Sequence, residues 1–517
     1  MFPQITHPRN RAGRTAGTRG ASLAAIAVLA LAGGCAVGPD FVSPAAPKAD
    51  GYTAEPLSPR TSAAAVAGGE AQNFAMDQDI QGQWWSLFRS EPLNALIGRA
   101  LAASPTFDAA RAALRQAQEN ALAERGDFFP SITGNVSAAR QKISTASFGG
   151  KNSAALFSIS TASLNVSYGL DIFGETRRLV EAADAAEDYQ RFQLVAAYLT
   201  LTSNIVATAV QEASLRAQLA ATQQIIDIEA DQLKVLRQQL SLGGIAGGAV
   251  LAQEATLAQA RTALPPLQKQ LAQTRNRLAT LAGNLPSEDI GGMFDLAQLN
   301  LPRDLPVSLP SKLVAQRPDI RAAEAQLHQA SAEIGVATAN ELPQITLTGS
   351  IGNTGSPAGM LLNPGVGIWS IGGALAQKIF DGGTLLHKRR AAVAAYDQAA
   401  SQYRATVLSA FADVANALRA LQVDADGLSA AVAAEQAADN SLALSREQFK
   451  LGAISYTTLL NAQQLAQQAR ITLVQAQAAR FSDTAALFQA LGGGWWNESA
   501  GMFDADKPAV AAAEQKH

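Results

Sequence analysis

Few residues in this sequence have the type and spacing to do chemistry. There is one cysteine, Cys35, so no disulfide can form within the chain. Of four histidines, His7 and His517 lie at the two ends, and His328 and His387 stand alone, so no pair has metal-ligand spacing. Arg317-Pro318-Asp319-Ile320 invites a charged catalytic site. It reads better as a helix start, with Pro318 in the first turn and Asp319 at the positive end of the dipole. Asp171-Ile172-Phe173-Gly174 has the form of a kinase magnesium motif. No glycine-rich loop with a lysine accompanies it, and it closes an alternating segment, so a strand-to-helix turn is expected. The chain has no nucleophile elbow, Walker sequence or zinc-protease motif. No catalytic residue, cofactor or metal site is expected, and an enzyme is disfavoured. Lys and Arg total 40 against 43 Asp and Glu, which offers no basic footprint for nucleic acid.

The elements that would position any site are more legible. Arg9, Arg11, Arg14 and Arg19 precede an apolar run, Ala21 to Ala32, then Gly33-Gly34-Cys35. A basic start, a short apolar run and small residues before a cut site predict a secretory signal over 1–34. The run is too short for a membrane span of about 20 residues, and no later stretch reads as a membrane helix. Residues 36–80, rich in Ala, Pro, Ser and Gly, are expected to be extended or loosely ordered.

An internal repeat of roughly 210 residues organises the rest. Phe129-Pro130-Ser131-Ile132-Thr133 answers Leu342-Pro343-Gln344-Ile345-Thr346. Ile172-Phe173 answers Ile379-Phe380, Leu242-Gly243 answers Leu451-Gly452, and Leu281-Ala282-Gly283 answers Ala490-Leu491-Gly492. Each half reads as helix, strand pair, very long helix and return helix. Leu164 to Ile172 and Ile345 to Ile351 alternate apolar and polar residues, the mark of strands with two different faces. Ile132–Ala138 and Val366–Gln377 are weaker partner strands. Proline-free stretches from Glu175 to Leu240 and Thr384 to Lys450 predict helices of about 100 Å each. Leu215, Leu219, Thr222, Ile226, Glu229, Leu233, Leu236 and Leu240 alternate spacings of four and three, a heptad seam interrupted by Glu229. Glycines close both helices, and a return helix of about 35 residues follows each tight tip.

Four strands with an uncovered apolar face must lie in lipid, where only closed barrels satisfy the backbone. Four cannot close, so chains must pool them. Two chains make eight strands, whose interior side chains fill; three make twelve and leave a lumen, which geometry favours.

Four motifs carry a resemblance. They are Cys35-Ala36-Val37-Gly38-Pro39-Asp40-Phe41 with Pro44, and Trp84-Trp85-Ser86-Leu87-Phe88 with Leu93 and Leu96. Leu309-Pro310-Ser311 with Arg317 to Glu324 is the third, and Gly452 with Leu459-Leu460-Asn461-Ala462-Gln463 the fourth. From Cys35 to about Trp496 the chain resembles the outer-membrane efflux lipoproteins of the NodT and OprM kind, with the TolC-like fold. The resemblance implies a mainly helical mixed fold of two repeats. Three chains form a homotrimer whose 12-stranded barrel in outer-membrane lipid continues as a long helical barrel through the periplasm. It implies docking to a periplasmic adaptor (membrane fusion protein) and an inner-membrane transporter of the resistance-nodulation-division class, which supplies the energy. The implied function is a passive gated duct for small compounds; a duct for metal ions or proteins, or a non-transporting coiled-coil envelope protein, are the alternatives.

On this reading the segments are a signal peptide 1–34, a lipidated extended segment 35–90, and a barrel helix 91–127. A strand hairpin 128–173 and a helix pair 174–283 complete the first repeat. A connector 284–311, a helix 312–340, a hairpin 341–381, a helix pair 382–491 and a tail 492–517 follow. Gly33-Gly34-Cys35 resembles a lipobox, with Ala32 where Leu is usual, and implies acylation of Cys35. By position, the family's gate residues fall on Thr457 and Asn461, which stand where Leu and Asp are commoner. A hydroxyl and an amide there imply a gate less sensitive to salt than ion pairs. Adaptor contacts are implied at Gly243, Gly244, Gly247 and Gly248 and at Gly452, Ala453, Ile454 and Ser455.

Overall fold

The computed structural model describes residues 36–49, 51–144, 154–356, 358–359, 363 and 365–504. Cys35 and the signal segment therefore lie outside the described residues. In chain order the elements are β1 (Asn73–Met76), α1 (Glu91–Ala103), α2 (Pro105–Gly126), β2 (Ser131–Ser144), β3 (Ala154–Leu170), α3 (Glu175–Ser241), α4 (Gly247–Thr262) and α5 (Leu264–Leu281). Then come β4 (Asp304–Val307), α6 (Pro310–Gln316), α7 (Pro318–Ala339), β5 (Gln344–Gly355), β6 (Gly367–Ala376), α8 (Thr384–Lys450) and α9 (Tyr456–Ala490). They fall into two compact units. One comprises Gln118–Ala186, Leu327–Ala399 and the chain up to Val42. The other comprises Ser43–Ala117, Glu187–Gln326 and the chain from Ala400 on.

The repeat is visible in the two long helices, α3 and α8, which have 67 residues each. Both end the same way. Gly243 and Gly452 turn left-handed at φ 75° and 71°. The next amides, Gly244 and Ala453, each donate back to the helix at 2.8 Å, to Gln239 and Gln448. This is the Schellman closure that glycine permits without a Cβ penalty.

The halves differ where prolines fall. The first return helix, expected as one piece, is broken into α4 and α5 at Ala263, because Pro265 and Pro266 cannot continue the hydrogen-bond ladder. Its counterpart α9 has no proline and runs 35 residues unbroken. The helix expected over 91–127 is likewise two. Ser104 takes an extended ψ of 117°, forced by Pro105 after it. The region over 36–80, expected to be extended or loosely ordered, holds one four-residue strand. β1 pairs parallel with β4, Asn73 opposite Asp304 to Met76 opposite Val307. Four residues per strand are too few for periodicity to announce them.

In the second unit, an aromatic cluster anchors the core. Trp84 stacks on Phe488 with centroids 5.3 Å apart, and Phe88, Phe481 and Tyr198 are fully buried with it. Around them pack Leu194, Ile205, Val407 and Leu418 from the long helices. A window of α3 is apolar enough for a membrane span, but two-thirds of it (67%) is buried. Arg317 does the structural work expected of a helix start. It reaches Asp319 at 2.7 Å, Asp413 at 3.0 Å and the Ala490 carbonyl at 3.0 Å, tying α7 to α8 and α9.

In the first unit, β2, β3, β5 and β6 form one antiparallel sheet in that order. The two hairpins join through β3 and β5, from Ser160 opposite Gly355 to Leu170 opposite Ile345. Strands β2 and β3 run further than the alternation alone predicts, continuing as a ribbon past the end of β5.

Candidate functional site

Three places could act: the sheet faces, the helical tips, and the seat of the N-terminal segment. The register assigns the sheet's faces directly, since alternate residues point to opposite sides. One face carries Ile132 and Val136 from β2, Leu164 and Val166 from β3, Leu347 and Ile351 from β5, and Trp369, Ile371 and Leu375 from β6. Most are strongly exposed, Ile371 by 82%. Over the same stretch the opposite face carries Thr133, Asn135, Ser163, Asn165, Thr348, Ser350 and Ser370, with Ile368 an apolar member. There the Ser350 and Ser370 hydroxyls meet at 2.8 Å. Among the described residues β2 pairs only with β3 and β6 only with β5, so both edges are open. The sheet therefore has one apolar face, one hydroxyl-bearing face and two unpaired edges.

At the tips, Thr457 and Asn461 are both exposed on α9, while Leu459, Ala462 and Gln463 on its other side are buried. One face of α9 packs, and Thr457 and Asn461 stand on the other. The tip residues Gly243 and Gly244 lie in the turn after α3. Gly247 and Gly248, expected in the same loop, instead begin α4. The exposed turn is thus shorter than the glycine run suggested. In the second tip Gly452, Ala453 and Ile454 form the turn, and Ser455 caps α9 through its hydroxyl, which accepts from the Thr458 amide at 3.3 Å.

Glu229 proves to be the centre of the tip region. It is 1% exposed. Gln253 of α4 donates to its carboxylate and, at 2.8 Å, to its backbone carbonyl; Gln467 of α9 donates to the other carboxylate oxygen at 2.9 Å. The Tyr456 hydroxyl bonds the Gln253 side-chain oxygen. One carboxylate therefore ties α3 to α4 and α9. Burial raises its pKa above the ordinary carboxylate range, opposed by the Gln253 hydrogen bond and the Arg446 charge. Beside it lies a cavity of about 220 Å³, lined by Ile225, Leu442, Arg446, Gln463 and Arg470. Gln463, 2% exposed, has no partner for its amide among the described residues. In the sequence Glu229 shows only as a flaw in a leucine seam. Its partners lie on helices whose pairing the sequence does not reveal.

The N-terminal segment is clasped where β3 meets α3. The Val37 amide donates to the Phe173 carbonyl at 3.0 Å. Arg178, 4% exposed, donates to the Val37 carbonyl at 3.1 Å, to Asp40 at 2.8 Å and to Glu181 at 2.7 Å. Phe41 stacks on His328 at 4.3 Å, and His328 bonds Glu181 at 2.9 Å. This seats the residues that follow Cys35 at the strand-to-helix junction. Asp171, in the kinase-like run, accepts from the Thr176 and Arg177 amides and so starts α3. Asp381 does the same for α8 through Gly383 and Leu385.

The outer membrane efflux protein family matches residues 96–284 and again 309–493, one match over each repeat. The chain is 30% identical over 430 residues to the pyoverdine export outer membrane protein OpmQ of Pseudomonas aeruginosa, covering 81% of this chain and 89% of that one. It is 28% identical over 487 residues to the probable efflux pump outer membrane protein TtgC of Pseudomonas putida, covering 92% and 96%. Among solved structures, the outer-membrane channel OprN superposes with a TM-score of 0.80 at 27% identity, covering 89% and 100%. The outer membrane protein VceC of Vibrio cholerae superposes at 0.76 and 26% identity, covering 80% and 100%.

Proposed function

This chain belongs to the outer membrane efflux protein family and is the outer-membrane channel subunit of an efflux system, and from that premise we propose that three copies close their sheets into one 12-stranded barrel, a passive duct for small compounds. The observation that carries this is the sheet itself: one apolar face, one hydroxyl face and two unpaired edges. Open edges in hydrocarbon leave backbone groups unsatisfied at several kcal/mol each, so the edges must pair with other copies. Three copies leave room for a lumen that two do not. A coiled-coil envelope protein would need no such sheet.

The duct opens and the inner-membrane transporter, of the resistance-nodulation-division class, supplies the energy. A periplasmic adaptor docks at the turns around Gly243, Gly244 and Gly452 to Ser455, with Gly247 and Gly248 in the first turn of α4 beside them. The exposed pair Thr457 and Asn461 lines the periplasmic gate, and the Glu229 node holds each protomer's tip closed behind it. Cys35 carries the lipid anchor; the clasp around Arg178 supports this, since it seats the next residues beside the end of β3. Relatives named for pyoverdine, toluene and antibiotics match this chain over 81% to 92% of its length, which fits a duct whose cargo is chosen by its partners.

The test is reconstitution of the purified assembly in planar bilayers. Discrete conductance steps, rising on Glu229→Leu or Asn461→Ala, are expected from an assembly of three-chain mass. A correctly folded assembly that never conducts in any of these forms refutes the duct.

A further inference from the structure

The four strands contain only two charged side chains, Arg140 and Lys142, and no acid. They are two residues apart on β2, so they project from one face about 7 Å apart. That face is the apolar one. Ile132 and Val136 precede them on it, and the register places Ser158 opposite Arg140 and Leu156 opposite Lys142. Both cations are exposed, and neither has an ion-pair partner among the described residues.

Their height follows from the same register. The apolar face on β3 runs from Leu170 to Ala162, nine residues or about 30 Å of strand. At the usual barrel tilt this gives a band about 23 Å tall, close to the ~25 Å of outer-membrane barrels. Past Ser160 the alternation breaks down: Phe157 and Ile159 take the formerly polar face, and the cations take the formerly apolar one beside Leu156. The change marks the upper limit of the continuous apolar band. Because α2 and α3 join the other ends of β2 and β3, this end faces the external leaflet.

We propose that Arg140 and Lys142 form a clasp for the phosphate groups of the anionic glycolipid of the outer leaflet, with the Ser158 hydroxyl beside them. The charge fits: two cations, no acid in the sheet, and a position just above an apolar band that holds the acyl chains. Arginine binds phosphate in a fork and lysine as a point charge, each stronger at a half-desolvated surface than in water. The inference rests on the barrel reading above.

The test uses the full-length assembly in mild detergent and two probes, bis-phosphorylated lipid A and its dephosphorylated form, counted by native mass spectrometry. Retention of the phosphorylated probe is expected to fall about tenfold in Arg140→Gln/Lys142→Gln, since each such cation adds measurable attraction to an anionic surface. Dephosphorylation should produce a similar fall on the unaltered protein, which needs no variant to fold. Equal retention across variant and probe, with conductance intact in phosphatidylcholine bilayers, overturns the clasp alone; charges that only blunt the β2 edge would behave this way. Absence of conductance in the unaltered protein overturns the barrel and the clasp with it.

Discussion

Glu229 occupies a heptad position where an aliphatic residue would pack, and it is buried as deeply as one. Its cost is offset by amide donors from Gln253 and Gln467 on two other helices. Glu229→Leu restores the seam but orphans both amides, each at about 1–3 kcal/mol. The expected outcome is a lower melting temperature and faster proteolysis at the turns; an unchanged melting curve would remove Glu229 from the node. Asp483 gives a pH dependence at the same scale. Burial first, then its bond to Asp424, pushes its pKa to about 8 from the ordinary 3.8. The folded chain keeps a proton that the unfolded chain releases, so stability is full below about pH 4, falls as pH rises towards 8, and is flat above. Asp483→Asn should flatten that decline in thermal unfolding from pH 5 to 9, with little change at pH 4. A parallel decline in the variant would show that another group titrates. Neither role is legible in the sequence, where Glu229 interrupts a pattern and Asp483, the single acid of α9, carries no sign of its burial.

At the scale of elements, periodicity located most of the secondary structure. The ends of α8 at Thr384 and Lys450 and the start of α3 at Glu175 fall at the residues expected from the glycine-flanked helical pattern. Legibility fails where the signal is short or comes from elsewhere. The breaks at Ser104 and Ala263 follow from prolines that a helix-level pattern overrode. The β1–β4 pair depends on a partner more than 200 residues away, and four residues cannot show a period. The N-terminal segment is held by contact rather than by propensity. Gly38 sits at φ 96°, and a Cβ there would lie 2.4 Å from the Gly335 Cα. Gly38→Ala is therefore expected to undock residues 36–42, read as new protease cleavage in that segment with the rest of the fold retained. Protection equal to the unaltered chain would show that the Arg178, Phe173 and His328 contacts suffice to secure it.

For the whole molecule, the decisive feature is a four-stranded sheet whose two edges, β2 and β6, find no further strand among the described residues. On the proposed barrel, Cys35→Ser is expected to abolish acyl labelling while leaving an assembly of three-chain mass intact, because there the open edges of β2 and β6, and not the lipid, would hold the copies together. Labelling that survives the substitution would move the anchor elsewhere. By itself the sequence determined the repeat, the two long helices, the glycine-closed tips and the alternation of the strands. Each of these is written in local spacing, and local spacing is set by the backbone periods of helix and strand. Only the tertiary structure decided which strands pair across repeats, which face of the sheet Arg140 and Lys142 share with Ile132 and Val136, and which amides satisfy Glu229. Those depend on residues brought together from distant parts of the chain, and no local period encodes that meeting.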